Sequence, residues 1–143
     1  VNYTQTLETL SKLLYTKSVV HGGQTGNERS NIIETFMTNK SRIIICNIKS
    51  AGTGISLDDQ YGGHPRVSLI SPTWNSVDLI QVLGRIHRAG TKSKSLQRIL
   101  YIANTIEENI ADKLKQKLNN INQINNGDVD LTNITFERER INI

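Results

Sequence analysis

One cysteine and two prolines in 143 residues set the first limits on this chain. The thiol, Cys46, cannot close an internal disulfide. It sits in the apolar run Ile43-Ile44-Ile45-Cys46-Asn47-Ile48, where a buried small hydrophobe is its expected role. One cysteine and three scattered histidines offer no zinc-ligand spacing, so no metal site is expected. The apolar runs are far too short to cross a bilayer, and nothing resembles a signal peptide, which makes an intracellular setting the default. No internal repeat is present. Two absences bear directly on chemistry. There is no G-x-x-x-x-G-K-[ST] loop to cradle phosphates, and no Asp-Glu pair to hold Mg²⁺ and orient water. A G-x-G-x-x-G turn is missing too, which argues against a small-molecule enzyme of nucleotide-binding fold.

What is present is the composition of one globular domain. Apolar residues make up 36% and charged residues 21%, with a net charge of +4. That balance suits a polyanion partner without requiring one. Leu7, Leu10, Leu13 and Leu14 lie at helical spacing in residues 4–14. A strand is expected at 18–21, broken by Gly22-Gly23, and then a helix over 28–38 capped by Asn27 with Ile32, Ile33, Phe36 and Met37 inward. The β-branched run at 43–47 reads as a parallel strand covered on both faces. Residues 58–66 (DDQYGGHPR) read as a surface loop, 67–70 as a strand, and Asn75 or Ser76 as the start of a helix carrying Val77, Ile80 and Leu83 inward. A strand at 98–103 leads to Thr105-Ile106-Glu107-Glu108, which has capping-box spacing, and to the stripe Ile106, Ile110, Leu114, Leu118, Ile121. Strands alternating with helices predict an α/β sandwich with a mostly parallel sheet. The domain is expected over residues 1–121, with 122–143 an Asn-rich tail, weakly ordered or packing on the lobe.

The most informative stretch is Gln81-Val82-Leu83-Gly84-Arg85-Ile86-His87-Arg88. A guanidinium stays charged at any relevant pH and presents a planar fork of donors suited to phosphate oxygens. Two of them at i and i+3, on a turn loosened by Gly84, can converge on one polyphosphate. Alone, Arg85 and Arg88 would read as ordinary solvated helix charges, but their surroundings change the reading. Upstream, Ser50-Ala51-Gly52-Thr53-Gly54-Ile55-Ser56-Leu57 is a small-residue turn directly after an apolar run. Further upstream, Val19-Val20-His21-Gly22-Gly23 precedes Glu28-Arg29.

The pattern Q-x-x-G-R-x-x-R resembles the sixth motif of superfamily-two helicases and translocases. The turn at 50–57 resembles the fifth motif at the usual distance, and the segment at 19–29 resembles the strand, glycine turn and helix after the fourth. The resemblance implies a RecA-like three-layer sandwich, the second lobe of such an enzyme, with its first strand reduced to Val1-Asn2-Tyr3 and the chain starting inside a larger protein. The Arg-x-His-Arg form is similar to the Swi/Snf-type remodelling ATPases, and so is Pro72-Thr73-Trp74-Asn75. The loop with Pro65-Arg66-Val67 resembles the strawberry-notch helicases. Many RNA helicases carry an acidic residue where this chain has Ser56, which argues against that subfamily.

The same resemblance implies the roles. Arg85 and Arg88 would act as catalytic fingers at the γ-phosphate of ATP, with Mg²⁺ supplied through an N-terminal lobe. Gln81 and Gly54 would contact the nucleotide. Ser50, Gly52 and Thr53 would meet a nucleic-acid backbone, DNA ahead of RNA, joined by His21, Gly22 and Gly23 where a plain strand-to-helix turn is an equal reading. His87 packs the motif and takes no proton. Trp74 reads as core or interface, with base stacking as the alternative. The chain by itself would be half of an active site and hydrolyse no ATP. The competing class is a stand-alone RecA-like binding or interaction module without motor activity.

Overall fold

A computed structural model describes residues 1–51, 54–124 and 134–139. The elements run α1 (Thr4–Leu13), β1 (Val19–Val20), α2 (Gly26–Met37), β2 (Ile45–Cys46), α3 (Ile48–Ala51), β3 (Arg66–Ile70), α4 (Ser76–Leu83), β4 (Ser95–Ile102), α5 (Ile106–Ile124) and β5 (Ile134–Glu139). Every pairing is parallel: β1 with β2, and β3, β4 and β5 in that order. The α/β class with parallel sheets is the one read from the alternation of strands and helices, and it fits a RecA-like lobe.

Helix ends follow local chemistry. The cap of α2 is Thr25, not Asn27. The Thr25 hydroxyl accepts from the Glu28 N–H and the Glu28 carboxylate accepts from the Thr25 N–H at 2.8 Å, so each satisfies a donor the first turn leaves free. Asn75 caps α4, its side-chain oxygen accepting from the Val77 N–H at 3.0 Å. At α5 the Thr105 hydroxyl accepts from the Glu107 N–H, but the Glu108 carboxylate takes the Asn104 N–H instead of that of Thr105.

The core collects on one face of the larger sheet. Ile70 and Ile99, paired across β3 and β4, meet Leu79, Val82, Leu83 and Ile86 from the α4 segment and Ile110, Leu114 and Leu118 from α5. Val77, expected inward, is exposed, because the buried face of α4 is set by Leu79, Val82 and Leu83. Strand residues alternate faces, so Val67 and Leu69 stand on the opposite side, each 60% exposed. Arg66 opens β3 with its guanidinium 4.3 Å from the Phe36 ring centroid and bonded to Asn39 Oδ1 at 2.8 Å, tying the sheet to the end of α2.

Three further expectations shift. Only Leu7 of the first leucine stripe is buried, while Leu13 and Leu14 are exposed. β4 begins at Ser95, earlier than the strand read at 98. Within the tail read over 122–143 as weakly ordered or packing on the lobe, a strand not read from the sequence, Ile134–Glu139, pairs with β4, Phe136 opposite Ile99, with Arg98–Glu137 and Arg138–Glu108 ion pairs alongside. Val1 runs against β2, donating to the Cys46 carbonyl and accepting from the Ile48 N–H, both at 2.9 Å. Burial pushes the Cys46 thiol up to about 11, which leaves it inert as a nucleophile near neutrality.

Candidate functional site

Parallel pairing of β3 with β4 obliges α4 to return the chain from the carboxyl end of β3 to the amino end of β4. The segment at 84–88 therefore comes out beside Ser95, whose hydroxyl lies 3.3 Å from His87 Nδ1. His87 itself is exposed, so its ring contact with the Ser95 hydroxyl is a surface one. Residues 54–57 cross to meet the arginines there.

The meeting point is one backbone carbonyl. Ile55 O accepts from Arg85 Nη1 at 3.2 Å and from Arg88 Nη2 at 3.1 Å. Ile86, buried between the two arginines in sequence, pins the segment to the core, and Leu57 N–H donates to the Arg85 carbonyl at 2.8 Å. Burial first, and then the charge of Arg88, pulls the Arg85 pKa down from its ordinary value; a guanidinium starting so high remains a cation. Two cations sharing a neutral acceptor favour an anion beside them. Gly54 has φ +66 and open space where a Cβ would stand, so its backbone is accessible from outside. Gln81 is exposed on α4, one turn before Arg85.

Behind Arg88 the chain makes a tight turn. Thr91 N–H donates to the Arg88 carbonyl at 3.0 Å, and the Thr91 hydroxyl accepts from the Arg88 N–H at 2.9 Å. Gly90, at φ +97, occupies the position of such a turn that favours glycine. The turn leads to Asp59, which the sequence reading left in a surface loop. Asp58 and Asp59 are instead 3% and 0% exposed. Asp59 accepts from the N–H groups of Tyr61, Gly62 and His64 at 3.2, 3.0 and 2.9 Å, and its own carbonyl accepts from Lys92 N–H at 2.7 Å. The Ser93 hydroxyl, then burial opposing it, then these amides, hold its carboxyl down to about 2. The visible signal was an aspartate two residues before the Tyr61-Gly62-Gly63 stretch, a spacing that suits an Asx-type turn.

The third group also comes together. A Cβ on Gly22 would stand 3.8 Å from Ser50 Oγ, so the His21-Gly22-Gly23 turn abuts the start of the fifth-motif segment. His21 Nδ1 accepts from the Gly23 N–H, and Arg29 donates to the Ser50 carbonyl at 2.8 Å. Ser50 is buried, at 8% exposure. A cleft of about 600 Å³ runs beside it, lined by Arg29, Ile33 and Met37 of α2 and by Gly54, Ile55 and Ser56. Gly52 and Thr53 lie outside the described residues.

Residues 1–90 match the helicase conserved C-terminal domain. The chain belongs to this family. Among relatives of this helicase domain, a putative ATP-dependent RNA helicase, L364, of Acanthamoeba polyphaga mimivirus is 46% identical over 131 residues, 91% of this chain and 24% of that protein. The DNA repair and recombination protein RDH54 of Saccharomyces cerevisiae is 32% identical over 138 residues, 92% of this chain and 14% of the relative. The human DNA repair and recombination protein RAD54-like is 29% identical over 122 residues, 81% of this chain and 16% of the relative. The helicase domain thus spans a quarter or less of these relatives. Among the described residues, no helix is long and apolar enough to cross a membrane.

Proposed function

We propose that this helicase domain is the C-terminal motor lobe of an ATP-dependent helicase or double-strand translocase. It supplies Arg85 and Arg88 to ATP held by an N-terminal lobe and leans on a nucleic-acid backbone. The observation that carries the reading is the convergence of both guanidiniums on Ile55 O beside Gly54. Two forks that already converge on one acceptor can turn the same donors to phosphate oxygens. In phosphoryl transfer the charge develops on equatorial oxygens, and preorganised fingers stabilise it by a factor of about 10³–10⁵. The 143 residues contain no G-x-x-x-x-G-K-[ST] loop and no Asp-Glu pair. The phosphate cradle and the Mg²⁺ ligands therefore come from the opposing lobe, and Gln81 and Gly54 meet the nucleotide from this side.

The backbone of the nucleic acid is read by the His21-Gly22-Gly23 turn with Ser50, Gly52 and Thr53, contacts that position the track without reading sequence. Buried Ser50 does this by shaping the turn. Of the relatives named above, one carries RNA helicase in its name and two carry DNA repair and recombination. The Swi/Snf-like form of the sixth motif puts DNA ahead of RNA. An intracellular setting belongs to the same reading. Family membership disfavours a stand-alone binding module.

The test is ATP turnover by a polypeptide in which this lobe is joined to an N-terminal lobe bearing the missing parts, with and without duplex DNA or single-stranded RNA. Stimulation by nucleic acid is expected, lost with Arg88→Ala. The 143-residue chain alone is expected to show no steady turnover. Turnover by that chain that survives Arg88→Ala would overturn the reading.

A further inference from the structure

The segment at 55–59 meets the sixth-motif region at every second residue. Ile55 O accepts from both guanidiniums, Leu57 N–H donates to the Arg85 carbonyl, and Asp59 O accepts from the Lys92 N–H. The first two contacts hold the arginines directly. The third holds the exit of the turn that carries Arg88, because Lys92 follows Thr91, and Thr91 brackets Arg88 through both its hydroxyl and its N–H. If Lys92 were released, the exit of the Arg88 turn would next be held at Lys94, whose carbonyl accepts from the Arg66 N–H at 3.2 Å.

We propose that Asp59 is a positioning residue for Arg88, a buried buckle that clamps the loop after the fifth motif to the loop after the sixth; the functional weight of this rests on the finger reading above. The chemistry supports a buckle in preference to a generic buried acid. The carboxylate gathers the Tyr61, Gly62 and His64 amides of its own loop, and the Asp59 carbonyl accepts from the Lys92 N–H of the other. Charge-assisted bonds of this kind are short and strong, and the low pKa of the group is the expected result of several donors facing the ionised form. Gly62 closes the junction: a Cβ there would stand 3.6 Å from Lys92 Cβ, so the two loops touch with no room for an intervening layer. Both loops are thereby one body, and Arg88 inherits its stiffness.

Asp59→Asn keeps the size of the side chain but replaces one acceptor oxygen with a donor, which opposes one of the amide N–H groups. Ser93→Ala is the gentler variant, removing the hydroxyl that helps hold the Asp59 carboxyl low. In the 143-residue chain, the Arg88 Nε–Hε resonance reports the fork directly, since Nε donates to Gly84 O at 3.4 Å. Both variants are expected to shift or broaden it while leaving that of Arg138 in place. In the two-lobe protein, kcat should fall by up to about 10²-fold, the scale expected for a misplacement near 1 Å. KM for ATP should stay within about twofold, as for an interaction realised at the transition state. An unchanged Arg88 resonance in folded Asp59→Asn overturns the inference, and if that variant does not fold, Ser93→Ala decides on the same readout. Undiminished kcat in both variants, where Arg88→Ala has removed turnover, also overturns it. Turnover that survives Arg88→Ala sinks the finger reading instead, and the resonance then judges the buckle alone.

Discussion

Arg88 uses two separate donors at once, Nη2 on Ile55 O and Nε on Gly84 O. That pair of bonds orients the plane of the guanidinium, which a lysine ammonium on a flexible stem cannot do. Arg88→Lys in the two-lobe protein should therefore lower kcat strongly, by at least about tenfold, with ATP affinity little changed. Complete removal of a finger should reach about 4–7 kcal/mol of transition-state stabilisation. Turnover measured over a range of ATP concentrations separates the two quantities, and a wild-type kcat for Arg88→Lys would assign Arg88 to mere charge. Residue chemistry of this kind was legible in the sequence, because a guanidinium brings the same fork to any fold. The acceptor was not. Nothing in the side chain of Ile55 announces that its carbonyl will receive two arginines, since that depends on where a crossover helix ends.

Between elements, the stabilising links are caps and loop clamps, each with its own test. The Thr25–Glu28 box satisfies donors at the start of α2, and Thr25→Ala should cost about 1 kcal/mol of stability. Urea unfolding measures it, and an unmoved midpoint would mean that the box contributes nothing. Asp59 gives a pH dependence. Its folded pKa of about 2 lies below the ordinary aspartate value of about 3.9. The stabilisation is therefore complete above the ordinary value and is lost as pH falls from there through the folded value. Acid titration of the wild-type chain should show this loss between roughly pH 4 and pH 2, against a flatter profile for Asp59→Asn over the same window. Equal slopes would show that the carboxylate is not coupled to folding. The Thr25 cap could have been read from its T-x-x-E spacing, whereas the burial of Asp58 and Asp59 could not, because acidic residues beside glycines are usually solvated. For Asp59 the distant partner is Lys92, more than thirty residues later in the chain.

For the whole lobe, the strand–helix alternation and the three helicase motifs carried the class and the family, since both depend on local pattern. β5 and the exposed side of β3 escaped because pairing with β4 is a long-range event that no window of sequence displays. That same non-locality bears on how the lobe is born. Arg66 must find Ser95, and Gln97 must find Ile134, across intervening helices, whereas α2 needs only its own residues. Chains dominated by distant pairings fold slowly, since loop-closure entropy precedes the reward. Leaving a ribosome, the segment at 55–59 emerges well before the arginines and the loop that lock onto it. Pulse-labelled hydrogen exchange during refolding should find the amides of Leu57 and Lys92 protected later than those of α2, and simultaneous protection would show that the lobe closes in one step. With the delayed order, the two guanidiniums stay without their shared carbonyl until the β3–β4 crossover docks, so the pair is aligned only in the finished domain.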